Sequence, residues 1–210
     1  MAIRAMKILE LFCGRGGCSK GFKQIFPHAE FYGIDVKDFG YPFNFIKADL
    51  NDWVPDQHYD IILASPPCSE FSEVKRNCAQ PYDERQGLDL VWRTFHLIEK
   101  MRPEFWIIEN VKGLAEFLPN VSEKIRYGKK TRKTAFLWSN KDIKLGFFDF
   151  DMSDYNSKQW HDKNSSGWEQ CKNGTRGEIP LELSRQIALL GYFYCQRERK
   201  VAPKKEKRVK

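Results

Sequence analysis

A cysteine is held behind two prolines in Ala64-Ser65-Pro66-Pro67-Cys68-Ser69-Glu70-Phe71-Ser72, directly after the apolar run Tyr59 to Leu63. Each proline fixes its own φ and biases the preceding residue toward extended geometry, so this thiol rides on a stiff backbone and can be aimed. Position alone favours a buried structural cysteine, since free Cys is among the most buried residue types. Other segments of the chain shift that balance. A second apolar run ends in Trp106-Ile107-Ile108-Glu109-Asn110-Val111. A glutamate at the end of such a strand is costly to bury ionised, so it has a partner, reaches solvent, or holds its proton with a raised pKa. If both runs are strands opening onto one edge of a sheet, Cys68 and Glu109 converge as a nucleophile beside a proton donor.

A third group of residues describes a ligand. The first apolar run enters Leu11-Phe12-Cys13-Gly14-Arg15-Gly16-Gly17-Cys18-Ser19. Glycines between a strand and a helix permit a tight turn and a close approach to the backbone, while the helix N-terminus offers unpaired amides. Such a turn is as often a packing device. The next strand ends in Gly33-Ile34-Asp35, an acid about 20 residues on, the spacing at which a carboxylate accepts both hydroxyls of a nucleoside ribose. Ala48-Asp49-Leu50 then supplies an acid for an exocyclic amine such as that of adenine. No Walker lysine is present, which disfavours a polyphosphate. A nucleoside with a small charged tail fits, and S-adenosyl-L-methionine answers that description.

These residues need a scaffold that brings strand ends together. Strands are expected at Lys7 to Phe12, Glu30 to Ile34, Phe43 to Ala48 (weaker), Tyr59 to Ala64 and Phe105 to Ile108, with helices at Cys18 to Phe26 and Leu88 to Met101. Such alternation implies an α/β fold: an open, doubly wound, mostly parallel sheet whose binding crevice lies at the carboxyl ends of the strands. Beyond Gly113 the pattern changes. Lys133 to Ser139 and Leu145 to Phe150 read as strands, Asp151 to Gly177 is polar, and Ile179-Pro180 opens a short amphipathic helix, Leu181 to Leu190. The expected organisation is a catalytic domain over residues 1–145, a reduced recognition or connector segment over 146–178, a returning helix within 179–196, and a basic, disordered tail over 197–210.

The 210 residues are 41% hydrophobic and 14% aromatic, enough for one real core. No run approaches a membrane span and no signal peptide is evident, so an intracellular, cytoplasmic protein is expected. Six cysteines without a Cys-x-x-Cys pair and four scattered histidines suggest neither a disulfide framework nor a metal site. Residues 121–145 and 197–210 each carry eight Lys/Arg against two acids; together they hold +12 of a net charge of +7, leaving −5 on the rest. Two basic patches on an acidic body fit phosphate contact.

With these motifs in place the chain resembles the cytosine-5 DNA methyltransferases, in particular their compact phage and archaeal members. Phe12-Cys13-Gly14-Arg15-Gly16 is similar to the family's cofactor loop, Asp35 and Asp49 to its second and third motifs, Pro66-Pro67-Cys68 with Phe71-Ser72 to its catalytic loop, and Glu109-Asn110-Val111 to its proton-donor motif. The resemblance implies a Rossmann-like S-adenosylmethionine-dependent fold with a small recognition insertion. It also implies cofactor contacts from Phe12, Cys13, Gly14, Gly16, Gly17, Ser19, Asp35, Val36, Asp49, Leu50, Ser65 and Pro66. Cys68 then adds to carbon 6 of a flipped-out cytosine while Glu109 acts at ring nitrogen 3. Tyr127-Gly128-Lys129-Lys130-Thr131-Arg132-Lys133-Thr134 departs from the usual Gln-x-Arg-x-Arg and resembles the compact members instead. On that basis Arg132 and Lys133 are expected at the base, and Ser72, Lys129, Lys130, Arg132, Lys133 and Arg176 on nucleic acid, simple phosphate contact being the alternative for the cations.

Typical members place a full recognition domain where this chain has only Gly146 to Glu178. The expected partner is therefore DNA, with an RNA substrate, or a catalytic subunit that needs a separate recognition partner, as the alternatives. An amino-methylating enzyme fits less well, because its loop carries Asp/Asn-Pro-Pro-Tyr/Phe where this one has Ser65-Pro66-Pro67-Cys68.

Overall fold

The computed structural model describes residues 4–71, 84–127, 133–145 and 179–201. Their apolar runs form a single seven-stranded sheet: β1 (Lys7–Leu11), β2 (Glu30–Asp35), β3 (Asn44–Lys47), β4 (Ile61–Ala64), β5 (Phe105–Asn110), β6 (Glu123–Tyr127) and β7 (Lys133–Ser139), in the order β3-β2-β1-β4-β5-β7-β6. The first five strands of that order are parallel; β7 joins β5, and β6 joins β7, antiparallel. Among the described residues three α-helices complete the frame, α1 (Gly17–Ile25), α2 (Glu84–Met101) and α3 (Leu181–Val201).

Side chains alternate across the sheet and build a core on each face. Ile8, Phe31, Ile61, Leu63, Phe105 and Ile107 pack with Phe22 of α1 and with Leu183 and Ile187 of α3. Leu9, Leu11, Ile34, Ile62 and Ile108 pack on the opposite face with Val91, Leu97 and Ile98 of α2. The doubly wound expectation holds. β2 reaches β3, and β3 reaches β4, without an intervening helix.

Two elements differ from expectation. β6 was not anticipated: Glu-Lys-Ile-Arg-Tyr is a charged edge strand that buries Ile125, and charge is how exposed edges avoid unwanted pairing. α3 ends at Val201 rather than at Leu190, so residues 197–201 are helical rather than part of a tail. Gly191 lies inside the helix, and its lack of a side chain lets the Phe105 ring pack closely, 3.0 Å from where a Cβ would stand. Of the strand expected at Leu145 to Phe150 only Leu145 is described, and residues 146–150 with the polar stretch Asp151 to Gly177 lie outside the described residues. Among the described residues no helix is long and apolar enough to cross a membrane.

Candidate active site

The sheet order reverses beside β1, whose neighbours are β2 and β4, and at such a switch point the connections diverge and leave a crevice. Here it is a cavity of about 640 Å³ bounded by the turn after β1, the ends of β2 and β3, the start of the loop after β4, the first turns of α2, and Ile179 ahead of α3.

The wall nearest β1 is built by backbone conformation. Phe12, Gly14 and Gly16 all have positive φ, at 57°, 49° and 76°, which folds the chain back sharply into α1. Asp35 closes the turn from β2: its carboxylate accepts the Gly14 amide at 3.0 Å and the Lys37 amide at 3.3 Å. Phe12, Cys13, Gly14, Gly17, Asp35, Val36, Asp49, Leu50 and Ser65 all line the cavity. The other three expected cofactor contacts do not. Gly16 lies behind the turn against Tyr41, Ser19 is fully buried against Glu10 and Tyr41, and Pro66 points inward while Pro67 takes its place on the wall.

The charges on that wall are one-sided. Glu10, Asp35, Asp49 and Asp89 face the cavity with Arg15 as the cation among its lining residues. A pocket so lined attracts a cationic ligand and repels a polyphosphate. Glu10 was not singled out by sequence. It stands on β1 beneath the turn, 6% exposed, and accepts the amides of Cys18 at 3.3 Å and Ser19 at 3.0 Å together with the Ser19 hydroxyl. Those amides are orphan donors of the first turn of α1, so Glu10 caps that helix from the sheet. Burial pushes its carboxyl up to about 7, against the opposing pull of those hydrogen bonds and Lys20. The one available signal was an acid between apolar residues, Leu9 and Leu11, of a central strand.

Cys68 and Glu109, the expected nucleophile and proton donor, are not among the residues that line this cavity, although Pro67, next to Cys68, is. β4 and β5 are parallel neighbours with Ala64 opposite Ile108, so the Cys68 loop and Glu109 leave the sheet along the same edge. Asn110, 1% exposed, donates from its side-chain amide to the Pro66 carbonyl at 3.0 Å and accepts the Val111 amide at 2.8 Å. On the far side of the thiol, a 3-10 turn at Ser69–Phe71 is closed by the Phe71 amide on the Cys68 carbonyl at 3.1 Å and anchored by the buried Phe71 ring. Cys68 thus rides between two fixed points. It is exposed, whereas Cys13, Cys18 and Cys195 are buried; burial and the charge of Glu10 push the Cys13 and Cys18 thiols up and keep them protonated. Glu109 is half-buried on the α1 side of the sheet, and its charge is felt at Cys18.

Ser72, Lys129, Lys130, Arg132 and Arg176 lie outside the described residues, and Lys133 is described only as the first residue of β7. Among the described residues no group of three or more His, Cys, Asp or Glu is placed to hold a metal ion.

This arrangement has relatives. The model of C-5 cytosine-specific DNA methylases matches residues 6–125, more than half of the chain. The chain belongs to the C-5 cytosine-specific DNA methylase family. The matched span runs from β1 into β6 and takes in the glycine turn, Asp35, Asp49, Cys68 and Glu109. This methylase chain is 29% identical over 119 residues to the type II methyltransferase M1.ScrFI of Lactococcus lactis subsp. cremoris, which covers 51% of this chain and 29% of that protein. It is 26% identical over 118 residues to a probable DNA (cytosine-5)-methyltransferase of Frog virus 3 (isolate Goorha), covering 50% of this chain and 53% of that one. The methylase chain therefore spans about half, or less, of the length of these relatives. Among solved structures, a putative DNA modification methyltransferase encoded within an E. coli prophage aligns with a TM-score of 0.48 at 17% identity, over 77% of this chain and 52% of that chain.

Proposed function

We propose that the chain is a DNA (cytosine-5-)-methyltransferase that uses S-adenosyl-L-methionine and forms a covalent adduct through Cys68. The observation that carries this reading is the shared edge of β4 and β5, from which the loop bearing the exposed Cys68 thiol and the strand bearing the half-buried Glu109 carboxyl emerge, tied together by a buried hydrogen bond from Asn110 to Pro66. The neighbouring cavity suits the cofactor: its size lies within the range of about 300–1,000 Å³ usual for small-molecule sites, and its acidic wall favours a sulfonium. Both Asp35 and Asp49 line that cavity, which supports Asp35 as acceptor of the ribose hydroxyls and Asp49 as acceptor of the adenine amine. Bound there, S-adenosylmethionine supplies a methyl group on positively charged sulfur.

The chain's own residues do the rest. The Cys68 thiolate adds to carbon 6 of the cytosine ring, forming a carbon–sulfur bond and pushing electron density toward carbon 5. Glu109, by giving a proton or a hydrogen bond to ring nitrogen 3, stabilises charge that develops only as the thiolate attacks. Once carbon 5 has taken the methyl group, it loses its proton, the electron pair re-forms the ring double bond and Cys68 leaves. Attack from above the ring cannot occur inside a stacked duplex, so the base is flipped out or the substrate is single-stranded. Because the chain matches only part of its relatives, residues 146–178 or a separate partner supply target recognition, in a cytoplasmic modification role.

The test is a duplex carrying 5-fluorocytosine incubated with the protein and S-adenosylmethionine. Fluorine at carbon 5 blocks the final elimination, so a denaturation-stable adduct is expected, absent in Cys68→Ala. Methyl transfer to tRNA but not to duplex DNA would replace the DNA reading with the RNA one, and an adduct persisting in Cys68→Ala would overturn the mechanism.

A further inference from the structure

The connection between β2 and β3 contains no helix, and a small aromatic group covers the sheet there instead. Phe31 and Phe43 meet at a tilt of 34° with 5.1 Å between centroids, Tyr41 meets Phe43 edge-on at 5.7 Å, and the Lys23 ammonium lies 5.3 Å above Phe31. Phe31 and Tyr41 are both buried, at 2% and 7% exposure, and Tyr41 is the one in contact with the glycine turn. Asp38 turns it inward by accepting the amides of Gly40 at 2.7 Å and Tyr41 at 3.3 Å.

The Tyr41 ring is wedged between two glycines from different elements. A Cβ on Gly33 of β2 would stand 2.6 Å from the ring, and one on Gly16, at the head of α1, 3.1 Å from it. A side chain on Gly33 would have to displace the ring, and one on Gly16, already disfavoured by its positive φ, would crowd it. Its hydroxyl lies 2.7 Å from the Ser19 oxygen, and Ser19 directs its own proton to Glu10. Since a serine hydroxyl has one proton to give, Tyr41 is the donor to Ser19. A chain of hydrogen bonds thus runs from Tyr41 through Ser19 to the carboxylate that caps α1.

We propose that Tyr41 is a positioning residue for the cofactor: standing in for a helix between β2 and β3, it clamps the glycine turn onto β2 from behind, so that residues 13–17 and 36–39 form one rigid wall. The proposal rests on reading the cavity as the S-adenosylmethionine site. Tyr41 itself does not line the cavity, whereas Val36 and Phe39 from its own connection do. The Cys68 loop is anchored on β4, β5 and Phe71 and not through Tyr41. Loosening the clamp therefore affects cofactor capture and leaves the thiol in place.

The experiment compares full-length wild type, Tyr41→Phe and Tyr41→Leu by steady-state kinetics against S-adenosylmethionine concentration, and by amide hydrogen exchange of the apo protein. Tyr41→Phe keeps the wedge and loses one hydrogen bond, so the cofactor KM is expected to rise about three- to tenfold with kcat unchanged. Tyr41→Leu removes the wedge and raises KM further. In both, exchange quickens at residues 13–19 and stays as in wild type at Ile61–Ala64. Should Tyr41→Leu fail to fold, Tyr41→Phe carries the comparison. Wild-type exchange at the turn with wild-type KM, or a loss confined to kcat, would overturn the role of Tyr41. Absence of cofactor binding by the wild type would overturn the reading of the cavity instead, and the exchange comparison would still decide Tyr41.

Discussion

The side-chain amide of Asn110 donates a hydrogen bond of 3.0 Å to the main-chain carbonyl of Pro66 inside the core, joining the end of β5 to the rigid stretch that carries Cys68. Through it the carboxyl-bearing strand and the thiol-bearing loop share one reference point. Asn110→Ala deletes the donor and strands the Pro66 carbonyl without its partner, a loss of about 1–3 kcal/mol for a buried group. A displacement on the order of 1 Å at a reacting atom costs roughly 10²-fold in rate. The expected phenotype is a fall in kcat of that order with cofactor affinity preserved, read by single-turnover methyl transfer beside calorimetric titration of S-adenosylmethionine. Equal losses in kcat and in affinity would show that Asn110 serves the whole site and not the loop.

Glu10 makes the stability of the fold depend on pH in an unusual direction. Its carboxyl titrates near 4.5 when exposed in the unfolded chain and near 7 in the fold, because burial outweighs its hydrogen bonds. Between those values the folded chain keeps a proton that the unfolded chain releases, so this group's stabilising contribution is full below pH 4.5 and is lost as pH rises through 7. The span corresponds to roughly 3 kcal/mol. Wild type is expected to lose melting temperature between pH 5 and pH 8 relative to Glu10→Gln, which cannot ionise. Parallel curves of Tm against pH for the two proteins would refute this account of Glu10.

Much of the site was legible because its parts are strand-end features read in chain order. A glycine turn, an acid after the next strand, a proline-held cysteine and a strand-end glutamate each announce themselves locally, and parallel pairing of β1, β2, β4 and β5 then places them along one edge whatever the loops do. Glu10 and Tyr41 could not be found that way. Glu10 gains its role from amides eight and nine residues away, and Tyr41 from an oxygen 22 residues away; neither type nor spacing hints at contacts made by burial. The same limit explains Gly16, Ser19 and Pro66, which motif position put on the cavity wall and packing turned behind it. β6 escaped notice because an edge strand needs few apolar residues.

α3 returns to the helix that bears the cavity wall, and one polar contact sets their distance. Ser184, fully buried, donates to the Cys18 carbonyl in the first turn of α1, and its own amide donates to the Pro180 carbonyl at 3.0 Å. Ile179, just ahead of the helix, lines the cavity, so the seating of α3 reaches the cofactor site through it. Ser184→Ala removes the donor while the Cys18 carbonyl keeps its helical bond, for a cost of about 1 kcal/mol, or roughly 2–4 °C in Tm for a chain of this size, with cofactor affinity unchanged. Ser184→Leu adds bulk where α1 and α3 already touch, which costs roughly 1–3 kcal/mol and pushes α3 outward with Ile179. That variant is expected to weaken S-adenosylmethionine binding about tenfold, equivalent to ~1.4 kcal/mol. Calorimetric titration beside thermal unfolding separates the two effects. A Ser184→Leu protein that melts lower yet binds the cofactor as tightly as wild type would show that α3 stabilises the fold without shaping the cavity.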